Sequence, residues 1–135
     1  MMKTTLGFGE TNMYEIVTGR IWEASSPSAW RVLADRLWPR GIAKAKAPWD
    51  EWVKEIAPST ALRQWYGHVP ERFDEFRDRY WQELMMCEDP GLLLQLVRRA
   101  EDQPLILLTA TKDIEWSHLP VLRDFLQEMG RNHGK

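Results

Sequence analysis

The run Leu105-Ile106-Leu107-Leu108-Thr109 constrains the fold of this chain more than any other segment. A strand with one wet face alternates apolar and polar side chains, whereas an unbroken apolar run must be covered on both sides. Five residues are too few for a buried helix, and Pro104 bounds them on one side, so the run reads as a central strand. A central strand needs neighbours. Tyr14-Glu15-Ile16-Val17 and Trp30 to Asp35 favour strands upstream, with Gly19 expected to interrupt the first before Ile21-Trp22. Ser25-Ser26-Pro27-Ser28 is expected to turn the chain between them.

Elsewhere the apolar period lengthens to that of a helix. Phe73, Phe76, Tyr80 and Leu84 predict a helix over Pro70 to Met86, with proline suited to its first turn. Asp89-Pro90 opens another that carries Leu92, Leu93, Leu96 and Val97 and closes in Glu101-Asp102-Gln103-Pro104. Shorter helices are expected from Asp50 to Glu55, capped by Asp50 and burying Trp49 and Trp52 on one face, and from Ser59 or Thr60 through Trp65, with Gly67 as its stop. A last helix starts near Ser117 or His118, buries Leu119, Leu122, Leu126 and Met129, and ends at Gly130. Strand, strand, several helices, strand, helix is an α/β order. The expected fold is a small single-domain layered structure over residues 1–135, with a short, mostly parallel sheet flanked by helices and loose termini at 1–12 and 131–135; this length supports one core.

Composition removes several classes. No apolar run approaches the roughly 18 residues of a membrane span, and the first residues lack the apolar centre of an export signal, so a cytoplasmic chain without membrane association is expected. The single cysteine, Cys87, cannot form an internal disulfide, and its nearest basic neighbour in sequence is Arg79, so it reads as a packing or surface residue and not as a nucleophile. The formal net charge of −2 is unevenly spread. Arg31 to Pro48 holds five bases (Arg31, Arg36, Arg40, Lys44, Lys46) against one acid (Asp35), while Glu71 to Asp89 holds seven acids against three bases. Four of the eight tryptophans (Trp30, Trp38, Trp49, Trp52) lie in or beside the basic stretch, as core or as a stacking platform.

The turn Arg36-Leu37-Trp38-Pro39-Arg40-Gly41 follows the second strand. Pro39 restricts φ and Gly41 permits unusual values of it, so the two guanidinium groups are held in a way that suits phosphate, carboxylate or sulfate. The same arginines serve equally to pair Asp35 or a carbonyl, with Trp38 covering the core. If Trp30–Asp35 and Leu105–Thr109 are parallel neighbours, both strands release the chain at one edge, where open α/β sheets bind ligands. That would bring Arg36 and Arg40 beside Lys112 and Asp113, with His118 nearby; antiparallel pairing would separate them. These five residues are the candidate ligand contacts, and a small anionic ligand is the expected partner. Lys112-Asp113 reads more readily as a solvated helix start, with Asp113 near the positive end of the helix dipole, than as a catalytic pair.

No catalytic residue is assigned, although Asp35 could orient an arginine or act as a base, and His68 could be a base or close a helix. Glu115-x-x-His118 is half of a di-metal carboxylate site with no second copy, so no metal is expected. Phosphate-binding loops, nucleophile elbows, Cys-x-x-Cys pairs and a full dinucleotide fingerprint are absent, so no cofactor is implied. The alternative partner is nucleic acid on the basic, tryptophan-rich stretch, although Asp50, Glu51 and Glu55 would repel its backbone. A third reading makes the turn architectural and the acidic segment the interaction surface. Nothing in the sequence fixes an oligomeric state.

Arg31-Val32-Leu33-Ala34-Asp35-Arg36-Leu37-Trp38-Pro39-Arg40-Gly41 resembles the signature of the domain-of-unknown-function 488 family, in its YeaO-like branch. Trp52 to His68 is similar to that family's second block, and Leu107-Leu108-Thr109-Ala110-Thr111-Lys112-Asp113 to its third. The resemblance runs from about Tyr14 to about Leu126 and implies a small α/β fold of bacterial or archaeal proteins, without supplying a reaction. Where the family commonly has an aromatic and then a His-Asn pair around the third block, this chain has Thr109, Trp116 and Ser117, with His118 one position later. A catalytic role resting on that pair would not extend to this chain.

Overall fold

The computed structural model describes residues 14–23 and 28–133. The expectations for residues 1–12, for most of the Ser25–Ser28 turn and for residues 134–135 lie outside these. Strands β1 (Ile16–Arg20), β2 (Trp30–Leu33), β3 (Glu51–Trp52) and β4 (Leu105–Thr109) form one sheet in the order β1-β4-β2-β3, and every pairing is parallel. β4 is buried at all five positions, as its unbroken apolar run requires. Ile16 and Trp30 both align with Leu105, so β1, β2 and β4 run in step. All three therefore release the chain at a common carboxyl edge.

The alternation of side chains along these strands divides the molecule into two layers. Leu105 and Leu107 join Ile16, Val32 and Ala34 on the face that meets α1 (Thr60–Tyr66), α2 (Phe73–Met85), α3 (Pro90–Asp102) and α4 (Leu119–His133). Each fully buried side chain of this size stabilises the fold by about 1.5–3 kcal/mol. Ile106 and Leu108 join Leu33 on the opposite face, which is covered by the tryptophan-rich loop between β2 and β3. There the Trp38 ring meets Trp49 and Trp52 edge-on at 4.8 and 5.3 Å. Two of the three indole N–H groups anchor the loop: Trp38 donates to the Ile42 carbonyl and Trp52 to the Asp35 carbonyl, each at 2.7 Å. The rings of the basic stretch thus build a second small core.

Three expectations are corrected. Asp50–Glu55 is not a helix but β3 followed by a 3-10 turn at Lys54–Ile56. The sheet takes the backbone groups a helix would need, since Asp50 N–H donates to the Arg31 carbonyl and Val53 N–H to the Leu33 carbonyl. The Asp50 carboxylate, instead of capping, accepts from the Arg31 backbone N–H at 2.9 Å and from its guanidinium at 3.2 Å. Gly19 does not interrupt β1, whose ladder to β4 passes through it. Gly130 does not end α4, which continues to His133; a glycine stops a helix by turning left-handed, and the described glycines with positive φ are Gly41 and Gly67. No helix among the described residues is long and apolar enough to cross a membrane.

Candidate functional site

A pocket of about 310 Å³ opens at the carboxyl edge, between the turn that leaves β2, the segment that leaves β4, and α1 with the residues on either side of it. Its construction starts at the end of β2. After Leu33 the Ala34 N–H still reaches the Leu108 carbonyl, and then the chain turns away. Asp35 stays behind as a brace, its carboxylate accepting the Ala110 N–H at 2.9 Å and so tying the exits of β2 and β4 together. Arg36 does not pair with Asp35. Its Nε and Nη2 donate to the carbonyls of Pro58 and Ala57 at 3.1 and 3.0 Å, which pins the turn to the approach of α1. Gly41, at φ 80°, completes the turn in a conformation that costs other residues energy.

Across the pocket, Ser59 caps α1 by accepting the Leu62 N–H, and Glu83 of α2 accepts from both the N–H and the hydroxyl of Ser59. The helix presents Arg63 and Tyr66 to the pocket. It ends at Gly67, and His68 follows with a left-handed φ of 57°, which carries the imidazole to the pocket wall. Tyr66 and Phe76 stack with centroids 4.3 Å apart as an aromatic floor.

His118 lies between this floor and the sheet, with 11% of its side chain exposed. Burial pushes its pKa below the ordinary value of 6.5, against the opposing influence of Asp35 and of its bond to Ala34, while His68 reinforces the lowering. The ring is therefore neutral near pH 7. Its Nε2 carries the hydrogen, donated to the Ala34 carbonyl at 2.8 Å, and the Asp35 carboxylate at 3.5 Å is a neighbour and not an ion-pair partner at that pH. Burial likewise raises the pKa of Tyr66, whose hydroxyl donates to the Trp116 carbonyl at 2.6 Å.

Arg36, Arg40 and His118 all line the pocket; Lys112 and Asp113 do not. After β4, Ala110 and Thr111 contribute to the wall, and the next two residues are exposed and turn into the 3-10 helix Ile114–Trp116. Arg63 and Tyr66 are polar lining residues that the sequence did not mark as part of the site. Their three-residue spacing put both on one face of a short helix, but nothing local showed which way that face would look. Among the described residues, Arg40 and Arg63 are exposed and their guanidinium groups make no hydrogen bond or ion pair, and no group of three or more His, Cys, Asp or Glu side chains is arranged to hold a metal.

Fold and pocket together define a small parallel α/β protein with a cationic, aromatic-floored pocket at the carboxyl edge of its sheet. The chain belongs to the family described as the inactive DUF488-N3 subclade, which it matches over residues 15–134. It is 42% identical to the uncharacterized protein Rv3073c of Mycobacterium tuberculosis over 108 residues, covering 79% of this chain and 89% of that one. It is 41% identical to the uncharacterized protein YeaO of Escherichia coli over 112 residues, covering 82% of this chain and 95% of that one. No solved structure matches.

Proposed function

We propose that the carboxyl-edge pocket binds a small anionic ligand and holds it without turning it over. The observation that carries this reading is the charge at the pocket wall: Arg36, Arg40 and Arg63 face one carboxylate, Asp35, which is already engaged by Ala110. Arg40 and Arg63 have no partner among the described residues, so their donors remain available to an anion. Binding without turnover is supported by how the acid–base groups are used. Asp35 braces the backbone and His118 donates to the Ala34 carbonyl, so the two acid–base groups nearest the sheet are engaged in holding the fold, which leaves His68 as the one imidazole of the described lining without a hydrogen bond. The description of the family as inactive favours the same reading.

Titration calorimetry with phenyl phosphate and benzoate tests it. Charge-assisted hydrogen bonds contribute about 1.5–3 kcal/mol, so Arg40→Ala or Arg63→Ala should each weaken binding by about tenfold or more. Both side chains are exposed, so thermal stability should barely change. Affinities unchanged in both variants would defeat the proposal. The alternative, nucleic acid on the basic face, draws on Lys44 and Lys46, which are exposed without partners among the described residues. It would be favoured by oligonucleotide binding that falls steeply with salt and is indifferent to Arg63→Ala.

A further inference from the structure

Resting on that reading, we infer that the ligand is an amphipathic organic anion, seated with its apolar body inward against Tyr66 and Phe76 and its charged group outward at Arg40 and Arg63. The argument is a comparison of the two ends of the pocket. At the inner end the donors of Tyr66, Ser117 and His118 are already engaged. The Tyr66 hydroxyl donates to Trp116, the Ser117 hydroxyl to Ile114, and His118 Nε2 to Ala34. The Asp35 carboxylate accepts from Ala110. An anion pushed to this depth would lose its hydration, find no free donor in these groups, and lie near a carboxylate.

An apolar body at the same depth meets no such cost. Tyr66 and Phe76 both line the pocket and the Tyr66 hydroxyl is already bonded, so what they offer it is the edge of a largely buried ring stack. At the outer end the situation reverses, because Arg40 and Arg63 are exposed and unpaired among the described residues. Leu37 lines the same pocket while 63% exposed, an apolar side chain that the ligand's body would shield as it passes the mouth. Size narrows the class further. About 310 Å³ lies at the small end of the roughly 300–1,000 Å³ of organic-ligand sites, room for one ring with its substituents and too little for a dinucleotide. The chemistry is thus a monocyclic or short-chain body bearing one phosphate or carboxylate.

The test compares inorganic phosphate, phenyl phosphate and phenol by titration calorimetry with the full chain. Phenyl phosphate is expected to bind at least about tenfold more tightly than either of the others, since each half of the probe meets its own end of the pocket. Arg63→Ala should weaken phenyl phosphate by about tenfold or more and leave phenol unchanged. Leu37→Ala, at an exposed position that the fold does not need, should weaken phenyl phosphate several-fold and leave inorganic phosphate unchanged. Inorganic phosphate binding as tightly as phenyl phosphate would overturn the inference while leaving the anion reading in place. Failure of inorganic phosphate, phenyl phosphate and benzoate alike to bind at millimolar concentration, or phenol binding as tightly as phenyl phosphate, would overturn both.

Discussion

His118 and Asp50 titrate in ways that follow from what surrounds each of them. Burial lowers the His118 pKa below 6.5, so as pH falls through that value the unfolded chain takes up a proton that the folded chain refuses. Stability is therefore expected to drop from about pH 6.5 downwards, until pH reaches the lower folded value. At Asp50 burial raises the pKa, but the side-chain and backbone hydrogen bonds from Arg31 and the charges of Arg31 and Arg99 outweigh it, and the net value falls below 3.8. Its stabilising contribution is present above that value and is lost only at more acid pH. The window near pH 6 thus isolates the histidine. Denaturant unfolding at about pH 7.5 and about pH 5.5 should show a fall in stability for the native chain and a smaller fall for His118→Asn, whose side chain has no charge to bury. An identical fall in both would assign the acid sensitivity elsewhere.

At the scale of elements, α1 is a seven-residue helix whose position depends on its ends. Isolated helices of this length do not persist, so the cap at Ser59 and the grip of Glu83 on that residue are what place Arg63 at the pocket. Ser59→Ala removes the bond to Leu62 and one of the two bonds to Glu83. A loss of about 1–2 kcal/mol is expected in denaturant unfolding, and a change under about 0.3 kcal/mol would show that packing alone seats the helix. The cap and the Gly67 stop were legible in the sequence because both signals are local. So were β4, α2 and α3, where the apolar period is strong enough to decide between strand and helix. β3 was not: Glu51 and Trp52 form a strand only because β2 offers them a ladder, and a two-residue pairing leaves no period to read. Gly130 misled because glycine marks a helix end only where the backbone turns left-handed.

For the molecule as a whole, the sheet is unevenly clothed, with four helices on one face and the tryptophan loop on the other. The parallel order β1-β4-β2-β3 leaves the carboxyl edge as the place where both layers open. Arg36, Arg40 and His118 could be brought together on paper once β2 and β4 were taken as parallel neighbours. Arg63 could not, since its arrival depends on how the crossover between those strands folds back over the edge. Lys112 and Asp113 lie close to the pocket in sequence and outside its lining, because after Thr111 the chain runs exposed through these two residues into the Ile114–Trp116 helix. The claim that matters most is that this edge is where the ligand sits. Backbone amide shifts followed by NMR while phenyl phosphate is titrated into isotope-labelled protein test it most directly. Perturbations are expected to cluster in Asp35–Arg40, Arg63–His68 and Ala110–His118. Shifts centred on Lys44–Lys46 or on the acidic Glu71–Asp89 segment, with those three stretches unmoved, would contradict it.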